Sequence, residues 1–145
     1  MIQSQRKEAT VSKPRVFVTR IIPEKGLQML ESTCDVHLWE SPEPVPRDVL
    51  LGEAAEAQGL LTLLSDPIDA DVISAAPHLR AISQYAVGYD NIDVATATAW
   101  GIPVGHTPGV LTDATADLAF ALLMSAARRL TEGVDHVRTG AWTTW

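Results

Sequence analysis

The sequence predicts an α/β protein in which a parallel sheet carries helices on both faces. Strand-like and helix-like segments alternate as β-α-β-α-β-α-β-α-β between residues 15 and 104. One of them, residues 60–64 (LLTLL), is a nearly continuous apolar run, as expected for a strand buried on both faces. The composition, 46% hydrophobic and 20% charged, is that of an ordinary globular protein.

The first part of the chain predicts two strands with a helix between them. Residues 15–19 (RVFVT) are rich in β-branched and aromatic types, which favour a strand. Residues 24–31 place Leu27 and Leu30 on one face of a short helix. Residues 35–39 (DVHLW) alternate polar and apolar types, so we expect a second, less buried strand.

Turn-forming residues mark the next boundaries. Residues 41–46 (SPEPVP) contain three prolines and predict a loop. A helix is expected over residues 47–57, and a buried strand over residues 59–64. Residues 65–67 (SDP) end that strand, and residues 69–76 predict the third helix.

The last strands of the predicted sheet flank a turn. Residues 79–85 (LRAISQY) predict the fourth strand, and residues 87–90 (VGYD) the turn after it. A helix follows over residues 93–100, and Gly101 is placed as its C-terminal stop. Residues 102–104 predict a very short fifth strand.

The remainder of the chain predicts helices and no further strand. After a turn at residues 107–109, residues 111–129 predict a long helix. Its middle, residues 118–127, is apolar all round, so it is expected to be covered by another domain or another subunit. A second helix is predicted over about residues 131–139. Residues 141–145 (AWTTW) end the chain with two tryptophans, which we expect to contact a partner surface.

Charge, cysteine content and hydropathy exclude several classes of protein. The net charge of −7 and the scattered basic residues argue against nucleic acid as a partner. The single cysteine, Cys34, allows neither an intrachain disulfide nor a zinc site, which favours a reducing cytoplasm. Residues 1–14 are polar, lack a signal-peptide core and predict a flexible tail. The most apolar run, residues 118–127, is too short to cross a membrane.

Three stretches resemble the D-isomer-specific 2-hydroxyacid dehydrogenases. They are VGYDNID at residues 87–93, GIPV leading into TPG over residues 101–109, and LTDATADLA at residues 111–119, before RRL at 128–130. The resemblance covers essentially residues 15–145. Within the family, LTDATADLA and the terminal WTTW are similar to glyoxylate/hydroxypyruvate reductases.

The resemblance implies a two-domain subunit. After the tail of residues 1–14, residues 15–106 would form a flavodoxin-like substrate domain, and residues 107–145 the opening helices of a Rossmann-type coenzyme domain. The implied activity is an NAD- or NADP-dependent oxidoreduction at the CH–OH group of a small 2-hydroxy or 2-keto acid. The implied partner is a second copy of the chain, bound through residues 111–130.

The resemblance also implies roles for five residues. The backbone amides of Val87 and Gly88 would hold the substrate carboxylate; such a turn can form an anion-binding concavity, although a plain strand-to-helix turn is the alternative. Leu61 would line the substrate pocket, or be only a buried strand leucine. Thr112 would lie near the coenzyme, or cap the long helix. Trp145 would reach across the dimer into the neighbouring pocket, or be only a chain end.

Other features of the family do not match this sequence. No two glycines are two positions apart, so the GxGxxG turn that holds a coenzyme pyrophosphate is missing. None of the four histidines matches a catalytic role, and neither a catalytic arginine nor a catalytic acid is matched. His106 stands where the family commonly has Asn, and Asp117 where it usually has Glu. We therefore expect that the chain alone neither binds coenzyme properly nor turns over substrate.

Two other interpretations of the sequence are alternatives to a segment of an enzyme. A phospho-receiver module would need an acidic pair after the first strand, an aspartate after the third and a lysine after the fifth. Asp66 is an aspartate after the third strand, as required. Thr19 and Arg20 are not an acidic pair, and neither Gly105 nor His106 is a lysine. A non-catalytic dimerisation or binding module fits the apolar helix and the terminal tryptophans equally well.

Overall fold

A computed structural model describes residues 12–145. The chain forms two compact units, one ending at Thr107 and the other spanning Pro108–Trp145. Most of the predicted tail, residues 1–11, lies outside the described residues. Its last part is bonded to the first unit, since the amide of Asp35 donates to Pro14 O at 2.9 Å.

Over residues 12–107, the first unit is a five-stranded parallel sheet with four helices, which confirms the predicted α/β class. The strands are β1 Arg15–Val18, β2 Asp35–Leu38, β3 Gly59–Thr62, β4 Ala81–Gln84 and β5 Val104–Gly105. The helices are α1 Glu24–Thr33, α2 Arg47–Glu56, α3 Ala70–Ser74 and α4 Val94–Ala99. The strand order is β2-β1-β3-β4-β5. Parallel crossovers are right-handed, so the direction in which a connection crosses the sheet decides the face on which its helix lies. The connection from β1 to β2 runs one way across the sheet and the later connections run the other way. Helix α1 therefore lies on one face, and α2, α3 and α4 lie on the other.

The hydrophobic core lies between the sheet and the face that carries α2, α3 and α4. Phe17, Leu60 and Ile82 come from three adjacent strands, and they pack with Leu50 of α2 and Ile73 of α3. All five side chains are buried. The core thus holds the carboxyl ends of the central strands in a fixed relation to one another.

The third and fifth strands differ from the prediction at one end, because local hydrogen bonds replace the bonds between strands there. The third strand stops before residues 63 and 64, because the Leu63 amide donates to the Asp66 carboxylate and the Asp66 amide to Leu63 O. The fifth strand begins later than predicted, because the Ile102 amide donates to Ala97 O at the end of α4. Gly101 has a φ of 70°, a left-handed conformation that suits its predicted place as the stop of α4.

The second unit contains two helices, α5 Thr112–Ala127 and α6 Leu130–Arg138. Arg129 separates them in a left-handed conformation with φ 51°. The apolar side chains of α5 are exposed; Phe120 reaches 70%. Among residues 12–145, no helix is both long enough and apolar enough to cross a membrane.

Candidate functional site

The candidate site is the turn that follows β4 at the carboxyl edge of the sheet. Open α/β sheets place ligands outside this edge. The turn is fastened to the loop after β3, since the Ile68 amide donates to Asn91 O at 2.8 Å and the Asp93 amide to Ile68 O at 2.9 Å. The residues between β4 and α4 therefore have a defined position above the sheet.

The carbonyls of this turn are held by neighbouring elements. The Thr107 amide, just after β5, donates to Ala86 O at 3.0 Å. The Gln84 side chain, at the end of β4, donates from Nε2 to Gly88 O at 3.3 Å. Two peptide groups of the turn are thus fixed from two different strands.

The backbone amides of Val87 and Gly88 are the candidate donors of this turn. All peptide bonds of the described chain are trans, so each N–H is directed away from the carbonyl in its own peptide plane. Neither N–H donates to an acceptor within residues 12–145, and Val87 is 39% exposed while Gly88 is half-buried. The turn therefore leaves two adjacent backbone donors without an acceptor among residues 12–145, and backbone donors in a turn can bind an anion.

Gly88 is not required by the backbone conformation. Positive φ angles among glycines occur at Gly101, Gly109 and Gly140, not at Gly88. A Cβ at Gly88 would meet Leu64 Cδ2 at 3.5 Å, an ordinary van der Waals contact. The fold accommodates a Cβ there, so neither the backbone conformation nor packing requires a glycine at this position.

A polar network supports the turn from below. Asn91 donates from Nδ2 to Leu63 O at 3.0 Å and to Asp66 O at 2.8 Å. Its Oδ1 accepts from Gln84 Nε2 at 2.8 Å, and Gln84 Oε1 accepts from the Thr62 hydroxyl at 2.6 Å. Sequence reasoning missed Gln84 and Asn91. The available signal was the alternation in β4, which places polar Gln84 on the same buried face as Ile82.

Asp66 is a structural residue of this edge. Its side chain is buried at 1% exposure, accepts from the Thr19 hydroxyl and lies 3.8 Å from the Arg20 guanidinium. A phospho-acceptor aspartate must be reached by a phosphate donor. Asp66 is too buried to be reached in this way. The structure therefore does not meet the one requirement of a receiver module that the sequence had met.

Two carboxylates nearby have lowered pKa values and act as helix caps. The hydrogen bond from Arg47, at 2.8 Å, lowers the pKa of Asp69, whose Oδ1 also accepts from the Val72 amide at the start of α3. Bonds from the amide and hydroxyl of Thr96 lower the pKa of Asp93 at the start of α4. Both groups are ionised at neutral pH.

A shallow cavity adjoins the turn. It has a volume of about 210 Å³ and is lined by Tyr89, Val94, Val104 and His106. The rings of Tyr89 and His106 meet edge to face, with centroids 5.0 Å apart and planes at 72°. Within residues 12–145, no cluster of three or more His, Cys, Asp or Glu side chains could hold a metal ion.

The other residues singled out from the sequence lie in both units. Leu61 is half-buried in β3 of the first unit. Thr112 and Trp145 belong to the second unit and are exposed. Thr112 does not cap α5, because the N-cap position is Leu111 and Thr112 is the first helical residue. That alternative was wrong.

The residues present do not form a coenzyme phosphate turn. Such a turn joins a strand to a helix through closely spaced glycines. Residues 108–145 contain two helices and no strand, and the glycines there are Gly109, Gly133 and Gly140. Residues 108–145 therefore do not fit the pyrophosphate of a dinucleotide coenzyme.

Comparisons with known proteins agree with these features. Residues 16–142 match the family model described as "D-isomer specific 2-hydroxyacid dehydrogenase, catalytic domain". A glyoxylate reductase of Thermococcus litoralis is 54% identical over 130 residues, which are 90% of this chain and 39% of that protein. The chain thus spans about two fifths of the length of this relative.

Two solved structures resemble the chain. The TT0316 protein of Thermus thermophilus has a TM-score of 0.79 and 44% identity, with 90% of this chain and 42% of that chain covered. An NADPH-dependent glyoxylate/hydroxypyruvate reductase of Sinorhizobium meliloti, in complex with NADP and malonate, has a TM-score of 0.68 and 30% identity, with 90% and 40% covered. The chain belongs to the D-isomer specific 2-hydroxyacid dehydrogenase family, and it matches the family's catalytic domain.

Proposed function

We propose that the chain is the substrate-binding N-terminal segment of an NAD(P)-dependent oxidoreductase that acts on the CH–OH group of 2-hydroxy acids. The substrate class is that of glyoxylate and hydroxypyruvate. One observation carries the proposal: the turn after β4 presents the adjacent N–H groups of Val87 and Gly88 at the carboxyl edge of the sheet. The names of the similar proteins support it.

In this proposal the turn binds and orients the acid. A carboxylate accepts charge-assisted hydrogen bonds from the two amides, which are shorter and stronger than neutral ones. Anchoring the carboxylate fixes the position of the adjacent 2-carbon, where reduction takes place. Reduction also needs a hydride from NADH or NADPH, which the complete protein would bind through further residues.

The remaining roles are proposals of the same kind. Leu61, in β3, would contribute apolar surface beside the acid. Thr112, in the first turn of α5, would lie near the coenzyme, and Trp145 would enter the pocket of a second subunit. The proposed partner is a second copy of the chain, joined through residues 111–130, where Phe120, Leu122 and Leu123 are exposed.

The proposal is tested by amide NMR of the ¹⁵N-labelled 145-residue chain. Titration with glycolate, a small 2-hydroxy acid, is expected to move the Val87 and Gly88 resonances in a saturable manner. Ethylene glycol is the matched control, because it has the hydroxyl group but no carboxylate, and it should leave both resonances in place. Saturable shifts elsewhere, with none at Val87 and Gly88, would contradict the proposal.

A second assay tests whether the chain alone is inactive. It is mixed with NADH or NADPH and with glyoxylate or hydroxypyruvate. The absorbance of the reduced coenzyme is expected to fall no faster than without protein, because residues 108–145 lack a glycine-rich phosphate turn. Protein-dependent oxidation of the coenzyme would show that the chain is a complete catalyst.

A non-catalytic dimerisation module is the second candidate. The exposed apolar side chains of α5 favour it, since exposed apolar patches commonly mark protein interfaces. The two candidates differ in the glycolate titration. A chain that forms dimers but leaves Val87 and Gly88 unaffected by glycolate would favour the module over the enzyme segment.

A further inference from the structure

His106 is the third group that holds the turn. Its Nδ1 lies 2.9 Å from Val87 O. A carbonyl oxygen can only accept a hydrogen bond, so the proton of this contact is on Nδ1. In the neutral ring, Nε2 then carries the free lone pair. None of the roles implied by the family resemblance falls on this histidine.

The contact acts on the peptide group that joins Val87 to Gly88. In a trans peptide, the Val87 carbonyl and the Gly88 N–H lie in one plane and point in opposite directions. A hydrogen bond to the carbonyl fixes the direction of the N–H and polarises it, because bonds along such a chain strengthen one another. His106 therefore acts on one of the two proposed substrate donors from the opposite side of its peptide plane.

The imidazole ring is itself held in place. The Tyr89 ring packs edge to face against it at 5.0 Å between centroids. The neighbouring residue, Thr107, is fixed by the bond from its amide to Ala86 O. The ring is thus supported by a side chain of the turn and by the backbone after β5.

We propose that His106 is a positioning residue, whose Nδ1–H, bonded to Val87 O, sets the Gly88 N–H for the carboxylate of the substrate. This inference rests on the proposed function. In this role, His106 transfers no proton and makes no direct contact with the acid. Its effect is on the affinity of the turn for a carboxylate.

Three variants of the 145-residue chain separate the donor from the ring. His106→Phe keeps an aromatic edge contact with Tyr89 but removes the donor. His106→Asn loses the ring and keeps an N–H donor near the position of Nδ1. His106→Ala removes both, and it provides a second donor-free variant if the phenylalanine disturbs folding. Amide spectra outside the turn report whether each variant is folded.

Glycolate titrations followed at Gly88 give the decisive comparison. His106→Phe and His106→Ala are expected to weaken binding about three- to tenfold, the effect of losing one hydrogen bond. His106→Asn should stay within about twofold of the unsubstituted chain, because the donor is retained. The ligand-free Gly88 amide resonance should move in the two donor-free variants and much less in His106→Asn.

Two results would overturn the inference. One is unchanged glycolate affinity in the folded donor-free variants; the other is an equal loss in His106→Asn, which would show that the ring and not the donor matters. Failure of the proposed function is distinguishable, because the unsubstituted chain would then show no glycolate shift at Val87 and Gly88. The ligand-free Gly88 resonance would in that case still report whether His106 acts on this peptide.

Discussion

At the residue scale, the candidate site depends on side-chain amides that sequence reasoning did not single out. Asn91 links its own turn to two other parts of the chain: the loop after β3 through Leu63 and Asp66, and the end of β4 through Gln84. Gln84 is 1% exposed and would be an unfavourable buried group without these partners. The pair thus satisfies its own polar groups and connects the turn to the strands below.

Replacement of Asn91 by Ala should destabilise the chain by about 2 kcal/mol. The substitution removes three hydrogen bonds and leaves the Gln84 amide without one of its acceptors in a buried position. Urea unfolding measures the change. Asp90→Ala is the matched control in the same turn, since Asp90 is exposed, and it should change stability by less than about 0.5 kcal/mol. Equal effects of the two substitutions would contradict this role for Asn91.

The sequence predicted the donors of the site but not the groups that hold them. The family resemblance carried by residues 87–93 implied the roles of Val87 and Gly88, whereas the local pattern alone left a plain strand-to-helix turn as the alternative. The bond from Asn91 to Leu63 joins positions 28 apart, and that from His106 to Val87 positions 19 apart. No short pattern encodes such contacts, because they depend on which strands become neighbours in the sheet.

At the element scale, two of the helices begin where the chain offers a capping carboxylate. Helices α3 and α4 start directly after Asp69 and Asp93, whose side chains accept from the amides three positions later. The helices were predicted to include these two residues, and the structure places both aspartates at the N-cap instead. Side-chain bonding to the backbone favours that position over a helix interior.

The charge of Asp93 should make the stability of the chain depend on pH in acid. Bonds from Thr96 hold the pKa of Asp93 below its usual value of 3.8. The stabilisation by the charged form is therefore complete above 3.8 and is lost as the pH falls through the lower, folded pKa. Asp93→Asn keeps a capping oxygen but carries no charge. Its melting temperature should lie below that of the unsubstituted chain at neutral pH.

Thermal unfolding across the acid range checks this prediction. The difference between the two chains should shrink once the pH is well below 3.8, because Asp93 is then protonated. Asp93→Ala is the control that removes the cap altogether, and it should remain less stable than Asp93→Asn throughout. A difference between the unsubstituted chain and Asp93→Asn that stays constant with pH would be inconsistent with a role for the charge.

At the scale of the whole molecule, the second unit differs most from a finished globular surface. Helix α5 has no buried residue, although its sequence is predominantly apolar. Phe120, Leu122 and Leu123 are each at least 61% exposed. The sequence predicted that this helix would need a cover, and among the described residues its apolar side chains are exposed.

The proposed dimer gives a direct prediction for α5. Sedimentation equilibrium of the 145-residue chain should show reversible association to the mass of a dimer. Leu123→Lys should shift the equilibrium to monomer, because it places a charge in a surface that dimerisation would bury. Gln28→Lys, which adds the same charge at an exposed polar position of α1 outside residues 111–130, should do so much less. A chain that is monomeric at every concentration would contradict the proposed partner.

The three tethered carbonyls of Ala86, Val87 and Gly88 have a consequence for the binding of an acid. Since folding has already immobilised this loop, little conformational entropy remains to be lost when an acid arrives. Under the proposed function, the carboxylate of an organic acid would therefore meet two adjacent N–H donors that are already in place.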